Sequence, residues 1–411
     1  MRQHGNESSR PEDASTDKAF KVTSSEKHNF VPLAVPDLRG NELKYLTECV
    51  EDNWISSAGP HVVALEEKMA EISNCRFGVA TANGTASIHL ALLSAGIEPG
   101  DYVAVSDWTF AASANAIIHA GAVPYFIGTD SDTWTMCPDL LDQAMAKEKQ
   151  RGIAAVLAVH VLGHPVDMDR LAEVCAKYDV PIIEDAAGAI GATYKNKPVG
   201  SLGLAGTFSF NGNKTVTAGG GGMIVTDDES LAKLAKHLST QARPGSDYIH
   251  DAVGFNYRMT NINAALGLAQ LERLQEMVNT KRGIAQTYNS AFGRLGGITL
   301  MPEASWAKSS CWLYSIRLES AEAATELAAV CNKRNIGARI FWHNLSSQSP
   351  YNTYPTQPNS SEDMLSGRVV SLPCSSSLTK VDQAYVIDVV TTWLKSSSGL
   401  ASNSRHLQVQ I

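Results

Sequence analysis

What the 411-residue chain lacks narrows its class before any motif is read. No apolar run approaches the ~20 residues that a membrane-spanning helix requires; the longest, "IAAVLAVHVLG" from Ile153 to Gly163, reaches about half of that. The seven cysteines (Cys49, Cys75, Cys137, Cys175, Cys311, Cys331 and Cys374) are odd in number and never form a C-x-x-C pair. That excludes a disulfide framework and a zinc site of recognisable spacing, and the expectation is a metal-free protein of a reducing, cytoplasmic compartment. Charge is not blocked: 34 Lys and Arg against 42 Asp and Glu give a net charge of -8, with no basic stripe to neutralise a phosphate backbone. Nucleic acid is therefore not expected as a partner, nor is a membrane. Residues 1–28 have no apolar stretch that could serve as a signal peptide, and their polar, mixed-charge composition is that of a disordered tail.

What is present is enough apolar residue, 44%, to bury more than one core. From Phe77, short β-branched runs alternate with helical ones: "FGVATAN" then "TASIHLALLSAG", "DYVAVSD" then "FAASANAIIHAG", "AAVLAVHV" then "MDRLAEVCAKY", and "VPIIEDAA". Such alternation predicts parallel strands covered by helices. "AGTFSFN" and "GMIVTDD" follow with no long helix between them, so the sheet becomes mixed there. The spacing of Ala264, Leu268, Leu271 and Leu274 predicts one long amphipathic helix from Thr260 to about Gly283. The expected division is a large α/β domain over 29–286, a small α+β domain over 287–395 and a flexible tail over 396–411. The Ser-, Pro-, Asn- and Tyr-rich "NLSSQSPYNTYPTQPNSSED" inside the second domain reads as a long surface loop.

Against this ordinary background "SFNGNKTVTAGGGG", Ser209 to Gly222, is unusual, because one lysine stands between polar clusters and four consecutive glycines. It is not a phosphate loop of the G-x-x-x-x-G-K-[ST] kind: here the glycine run follows Lys214 instead of preceding it. Taken alone, Lys214 fits a solvated loop lysine. Two other stretches give it partners. "PIIEDAA" carries Asp185 to the carboxyl end of a strand, where ligands of α/β proteins bind, although a helix N-cap or a salt-bridge aspartate would look the same. "ATANGTASIHLAL" places Asn83-Gly84-Thr85 between a strand and a helix, aiming free amides and a positive dipole end at an anion. A Schiff-base lysine, a carboxylate for a pyridinium nitrogen and a phosphate cup are the three attachments of pyridoxal 5'-phosphate.

At these residues the chain resembles the DegT/StrS family of pyridoxal-phosphate sugar aminotransferases, and within it the enzymes of bacillosamine and legionaminic acid synthesis. The resemblance spans roughly Val31 to Leu394 and is carried by "VPDLRGNELKYL", "SSAGPHVVALEE", "NGTASIHLAL", "TFAASANAI", "PIIEDAA", "FSFNGNKTVTAGGGGM", "STQAR" and "GFNYRMTNINAALGLAQL". It implies fold type I, the aspartate-aminotransferase type, with a large mixed sheet of about seven strands, a small α+β domain and a homodimer with shared active sites. It makes Lys214 and Asp185 the catalytic pair. Gly84, Thr85 and Ser209 become phosphate contacts, Phe110 the aromatic stacked on the cofactor ring, and Asn256 a reach across the dimer to the partner's phosphate. Arg339 and Trp342 match substrate-binding positions of the bacillosamine-type enzymes.

Two positions depart from the family pattern. Gly188 stands where a Gln, His or Glu is usual, and Ser346 where a histidine is common. His160, in "AVHVLGHP", is as compatible with a backbone-bonded histidine as with a site residue. His89 and His119 read as helix residues, and none of the three receives a role. The implied reaction moves the amino group of L-glutamate to a nucleotide-linked 4-keto-6-deoxy sugar, foremost UDP-4-keto-6-deoxy-N-acetylglucosamine, for surface-glycan precursors. The alternatives are a dTDP- or GDP-linked sugar, or a protein that binds the cofactor as a regulator without turnover. A cofactor-dependent sugar dehydratase would carry histidine in place of Lys214.

Overall fold

The computed structural model describes residues 28–148, 152–358 and 364–407, the stretch 397–407 as backbone alone. The expected N-terminal tail lies outside the described residues except for His28. Its ring stacks on Tyr385 at 3.8 Å, and its carbonyl accepts the Asn335 side-chain amide at 3.1 Å.

Helices α1 (Glu42–Glu51) and α2 (Pro60–Ser73) come first. The alternating runs then become β1 (Phe77–Thr81), α3 (Gly84–Ser94), β2 (Tyr102–Ser106), α4 (Ala111–His119), β3 (Val123–Ile127), α5 (Pro138–Lys147), β4 (Ile153–Val159), α6 (Met168–Ala176) and β5 (Ile182–Asp185). Two short strands, β6 (Thr193–Tyr194) and β7 (Lys197–Pro198), lead into β8 (Ala205–Ser209) and β9 (Gly222–Thr226), followed by α7 (Glu229–Ser239), α8 (Asn261–Leu271) and α9 (Leu274–Phe292). The chain ends with β10 (Ile298–Leu300), β11 (Ala307–Lys308), β12 (Tyr314–Leu318), α10 (Ala321–Lys333), β13 (Arg339–Ile340), β14 (Thr356–Gln357), β15 (Val369–Leu372) and α11 (Lys380–Leu407).

The large sheet has the order β1-β9-β8-β5-β4-β2-β3-β14. Its strands are parallel except β9, which runs against both neighbours. That antiparallel strand follows from the missing helix between β8 and β9, which leaves only the lysine-bearing loop to turn the chain back. Seven strands come from the large α/β region, and β14, inside the segment expected to be a surface loop, adds the eighth by pairing with β3. β10-β12-β15-β13 form the small antiparallel sheet, packed with α10 and α11.

One expectation needs correction. The single helix from Thr260 is two, α8 and α9, interrupted at Glu272–Arg273. There the Arg273 guanidinium turns to the buried Asp37, donating to its carbonyl at 3.2 Å and its carboxylate at 3.3 Å. α9 also runs straight through the expected domain boundary at 286/287. At the other end, α11 extends to Leu407, into the segment over 396–411 expected to be a flexible tail, whose last four residues lie outside the described ones. Ala264 and Leu271 are buried, and Leu268 packs with them, so this apolar face serves the chain's own core.

Candidate active site

The carboxyl ends of the strands carry Asp185 (β5) and Ser209 (β8), with Gly84 and Thr85 opening the helix that follows β1. Asp185 ends β5, in register with Val159 of β4 and Thr207 of β8, and only 4% of it is exposed. Its carboxylate accepts the Ser113 hydroxyl of α4 at 2.6 Å and the Ala187 amide at 3.1 Å. Side chains alternate along a strand, so the preceding Glu184 points to the other face. There it accepts the amides of Gly200, Leu202 and Gly203 and meets His160 Nε2 at 2.9 Å. His160 Nδ1 accepts the Val166 amide at 3.1 Å, which assigns the ring proton to Nε2. His160 is thus a bracing group on the far side of β5.

Lys214 lies in the loop between β8 and β9, its amide bonded to the Asn211 carbonyl at 3.0 Å. Burial pushes its amine down to about 8, partly opposed by the negative charge of Asp185. The amine sits 3.6 Å from the centre of the Trp312 ring. Residues 215–218 are buried, which fixes the loop that presents the lysine.

The anion cup is formed by α3. Asn83 caps it, its side chain accepting the Ala86 amide at 2.9 Å, so the amides of Gly84 and Thr85 face out of the helix start. Ser209, ending β8, presses against this point: a Cβ on Gly84 would stand 2.8 Å from Ser209 Cβ. The glycine run has a matching purpose. A Cβ on Gly222 would lie 2.4 Å from Ser87 Oγ and 2.6 Å from the Asn83 carbonyl, so glycine there lets β9 pass directly behind the cup. Gly222 therefore serves the start of α3, while a Cβ on Gly221 would meet Met259 Cε at 2.5 Å, and the lysine itself gains its surroundings from elsewhere.

Phe110, at the N-cap of α4 and three residues before Ser113, is 60% exposed. An open apolar ring at the start of the helix whose Ser113 holds the buried carboxylate, a lysine amine pushed down by burial, and a helix-start anion cup together suit an aromatic, anionic cofactor with a titratable ring nitrogen. Trp342 packs on Trp108, two residues before Phe110: its carbonyl accepts Trp108 Nε1 at 3.0 Å and the two rings meet at 5.3 Å. Asn256 is exposed on a segment that pairs with Thr240 and runs beside the end of β1. Arg339 is also exposed, on β13 of the small sheet, and among the described residues no hydrogen bond or ion pair joins it to the other site residues.

Both departures have structural occupants. A Cβ on Gly188 would stand 2.6 Å from Trp312 Cε3, so the indole fills the volume that a longer side chain would take. Ser346 donates its amide and hydroxyl to the Asp107 carboxylate at 2.8 and 2.6 Å, tying the small-domain loop to the end of β2. Ser113, Asp107 and Trp312 were not singled out by sequence reasoning. Ser113 had a legible signal, lying one helical turn beyond Phe110 at a helix start facing the site.

The sequence model of the DegT/DnrJ/EryC1/StrS aminotransferase family matches residues 36–391. EpsN of Bacillus subtilis (strain 168), which carries the name of a pyridoxal phosphate-dependent aminotransferase, is 39% identical over 88% of this chain and 95% of its own. The GDP-perosamine synthase of Escherichia coli O157:H7 is 36% identical over 88% of this chain and 98% of its own. Among solved structures, DesI, crystallised in the presence of its TDP-sugar product, superimposes with a TM-score of 0.83 at 27% identity, covering 93% of this chain and 96% of that one.

Proposed function

We propose a substrate and residue roles for this enzyme on one premise: the chain belongs to the DegT/DnrJ/EryC1/StrS aminotransferase family, and is a pyridoxal-phosphate-dependent sugar aminotransferase of fold type I. The amino donor is L-glutamate and the acceptor the 4-keto group of a nucleotide-linked 6-deoxy sugar. The observation that carries the assignment of roles is the buried Asp185, locked by Ser113 and electrostatically coupled to the Lys214 amine.

Pyridoxal phosphate, when bound, supplies an electron sink that makes the donor's Cα–H acidic. Every other part belongs to the chain. The start of α3, with Gly84 and Thr85, and the Ser209 hydroxyl would hold the phosphate, while Phe110 offers its open face to the ring. Asp185, held in place by the Ser113 hydroxyl and the Ala187 amide, would present its carboxylate to a ring N–H⁺. Lys214 moves the proton. With its amine pushed down to about 8, roughly a tenth of it is neutral at pH 7, so it can both take and return a proton near neutrality.

For the nucleotide, the motifs "GNKTVTAGGGG" and "STQAR" together with Trp342 and Arg339 support a UDP-linked N-acetylated sugar. A second reading, a GDP-linked sugar, has a specific ground in the relatives named GDP-perosamine synthase. A homodimer with shared sites suits the exposed Asn256 and the exposed Leu43, Val50, Trp54 and Val63 around α1 and α2, an apolar surface a second copy would cover. The deciding assay supplies L-glutamate with UDP-, dTDP- and GDP-linked 4-keto-6-deoxy sugars in turn. Amination fastest with the UDP-linked N-acetylated sugar is expected. A preference for the GDP-linked sugar would replace the first reading with the second, and no amination of any of them would remove the 4-keto-sugar assignment.

A further inference from the structure

The indole of Trp312 is fixed on several sides. Its Nε1–H donates to the carbonyl of Asn213, the residue before the lysine, at 2.8 Å. Its own carbonyl accepts the amine of the buried Lys281 of α9 at 3.1 Å, and Lys281 donates also to the Cys374 carbonyl. Its six-membered ring occupies the space over Gly188, in the loop that leaves Asp185, and the neighbouring Ser310 hydroxyl donates to the Gly188 carbonyl at 3.3 Å. The face of this clamped ring is where the Lys214 amine rests, 3.6 Å from the centroid. An ammonium over an indole face is attracted by the ring quadrupole, most strongly when desolvated, and Trp serves better than Phe.

We propose that Trp312 is a positioning residue for the reactive lysine: its ring holds the free Lys214 amine during the part of the cycle when that amine is not bonded to the cofactor, in space that Gly188 leaves open. The lysine must leave the cofactor for the amino donor to take its place, and the detached amine must stay within reach as a proton carrier. A flexible four-carbon side chain needs a fixed resting point for that. The charge acting on the amine at this point is that of Asp185, from the end of β5. The inference rests on Lys214 being the lysine that bonds the cofactor.

The test uses the full chain with Trp312→Leu, Trp312→Phe, and Gly188→Gln alone or combined with Trp312→Ala. Borohydride reduction of the cofactor-loaded wild type, followed by peptide mapping, first identifies the lysine that carries the cofactor. Any lysine other than Lys214 overturns both the site reading and this proposal. With Lys214 confirmed, its modification by an amine-reactive reagent is followed against pH in the cofactor-stripped proteins. Loss of the ring in Trp312→Leu keeps the site apolar but removes the attraction that favours the ammonium. The midpoint should fall by about one pH unit, giving about fivefold more reactive amine at pH 7, with Trp312→Phe between Leu and wild type. An unchanged midpoint in Trp312→Leu would make the indole mere filling, and a raised one would mean that it only sheltered the amine from water; both overturn the proposal. Gly188→Gln should lower stability in the wild-type background and be tolerated beside Trp312→Ala, whereas additive losses would show that the two positions do not share space.

Discussion

Replacing Lys214 with Met should make the cofactor-free protein more stable, in a pH-dependent way. Burial pushes the amine from 10.5 to about 8 in the folded chain, so the unfolded chain binds this proton more tightly. At 1.36 kcal/mol per unit, holding the ammonium inside the fold costs about 3 kcal/mol below pH 8. The sign follows: between pH 8 and 10.5 the unfolded state carries more of this proton than the folded one, so wild-type stability rises with pH through that window. Met fills a similar volume without a charge but leaves Asp185 without its counter-charge, which returns part of the gain. The expected net advantage of Lys214→Met at pH 7 is about 1–3 kcal/mol, shrinking above pH 8 and vanishing near 10.5. Urea denaturation of both cofactor-stripped proteins at pH 7, 8.5 and 10 reads the difference. A gap that stays constant with pH, or widens as pH rises, would refute the claim that burial of this amine is the cause.

Gly84→Ala should lose about 1–3 kcal/mol of stability and bind pyridoxal phosphate about tenfold more weakly, because the new Cβ would stand 2.8 Å from Ser209 Cβ. Gly212→Ala, with open space around it, is the control, and equal denaturation and dialysis results for the two would dispose of the tight cup. Asp185→Asn should keep the fold, since the new amide oxygen can still accept from Ser113, yet slow the single-turnover reaction with L-glutamate by about a hundredfold or more. An unaltered rate would leave Asp185 a structural residue. In a heterodimer of Lys214→Ala with Asn256→Ala, shared sites place both defects in one site and restore up to half of the wild-type activity per dimer, whereas activity no higher than the summed mutant homodimers after proven subunit exchange would confine Asn256 to its own chain.

The parallel part of the fold was legible because buried strands announce themselves as apolar runs with helices between them. β1, β2 and β5 lie within the runs read from the sequence, and β4 begins one residue before its run. β3 and α5 gave weaker signals: β3 carries Pro124, which argues against a strand, and α5 is a short helix with four polar residues among its ten. The break between α8 and α9 was invisible for a different reason. Every residue around Arg273 suits a helix, and its partner Asp37 is 236 positions away in the chain, where no local pattern could reveal it. β14 was hidden in the same way, since a two-residue strand exists only by virtue of the β3 edge beside it.

The site divides along the same line. Lys214, Asp185 and the Gly84 turn could be found because each needs a local pattern, a lysine loop, a strand end and a strand-to-helix turn. Their supports are non-local. Ser113 reaches Asp185 across 72 positions, and Ser346 reaches Asp107 across 239. Gly188 is the instructive position. In one dimension it is an omission, a side chain missing beside the cofactor. In three dimensions the omission admits Trp312 from another part of the chain, and the ring that enters is the one on which the lysine amine rests. A substitution that restores a long side chain at 188 must therefore displace the indole, and with it the hydrogen bond to Asn213 that steadies the lysine loop. Family-like residues at 188 and a tryptophan at 312 are mutually exclusive in this packing, which makes the pair, and neither residue alone, the unit on which the geometry of Lys214 depends.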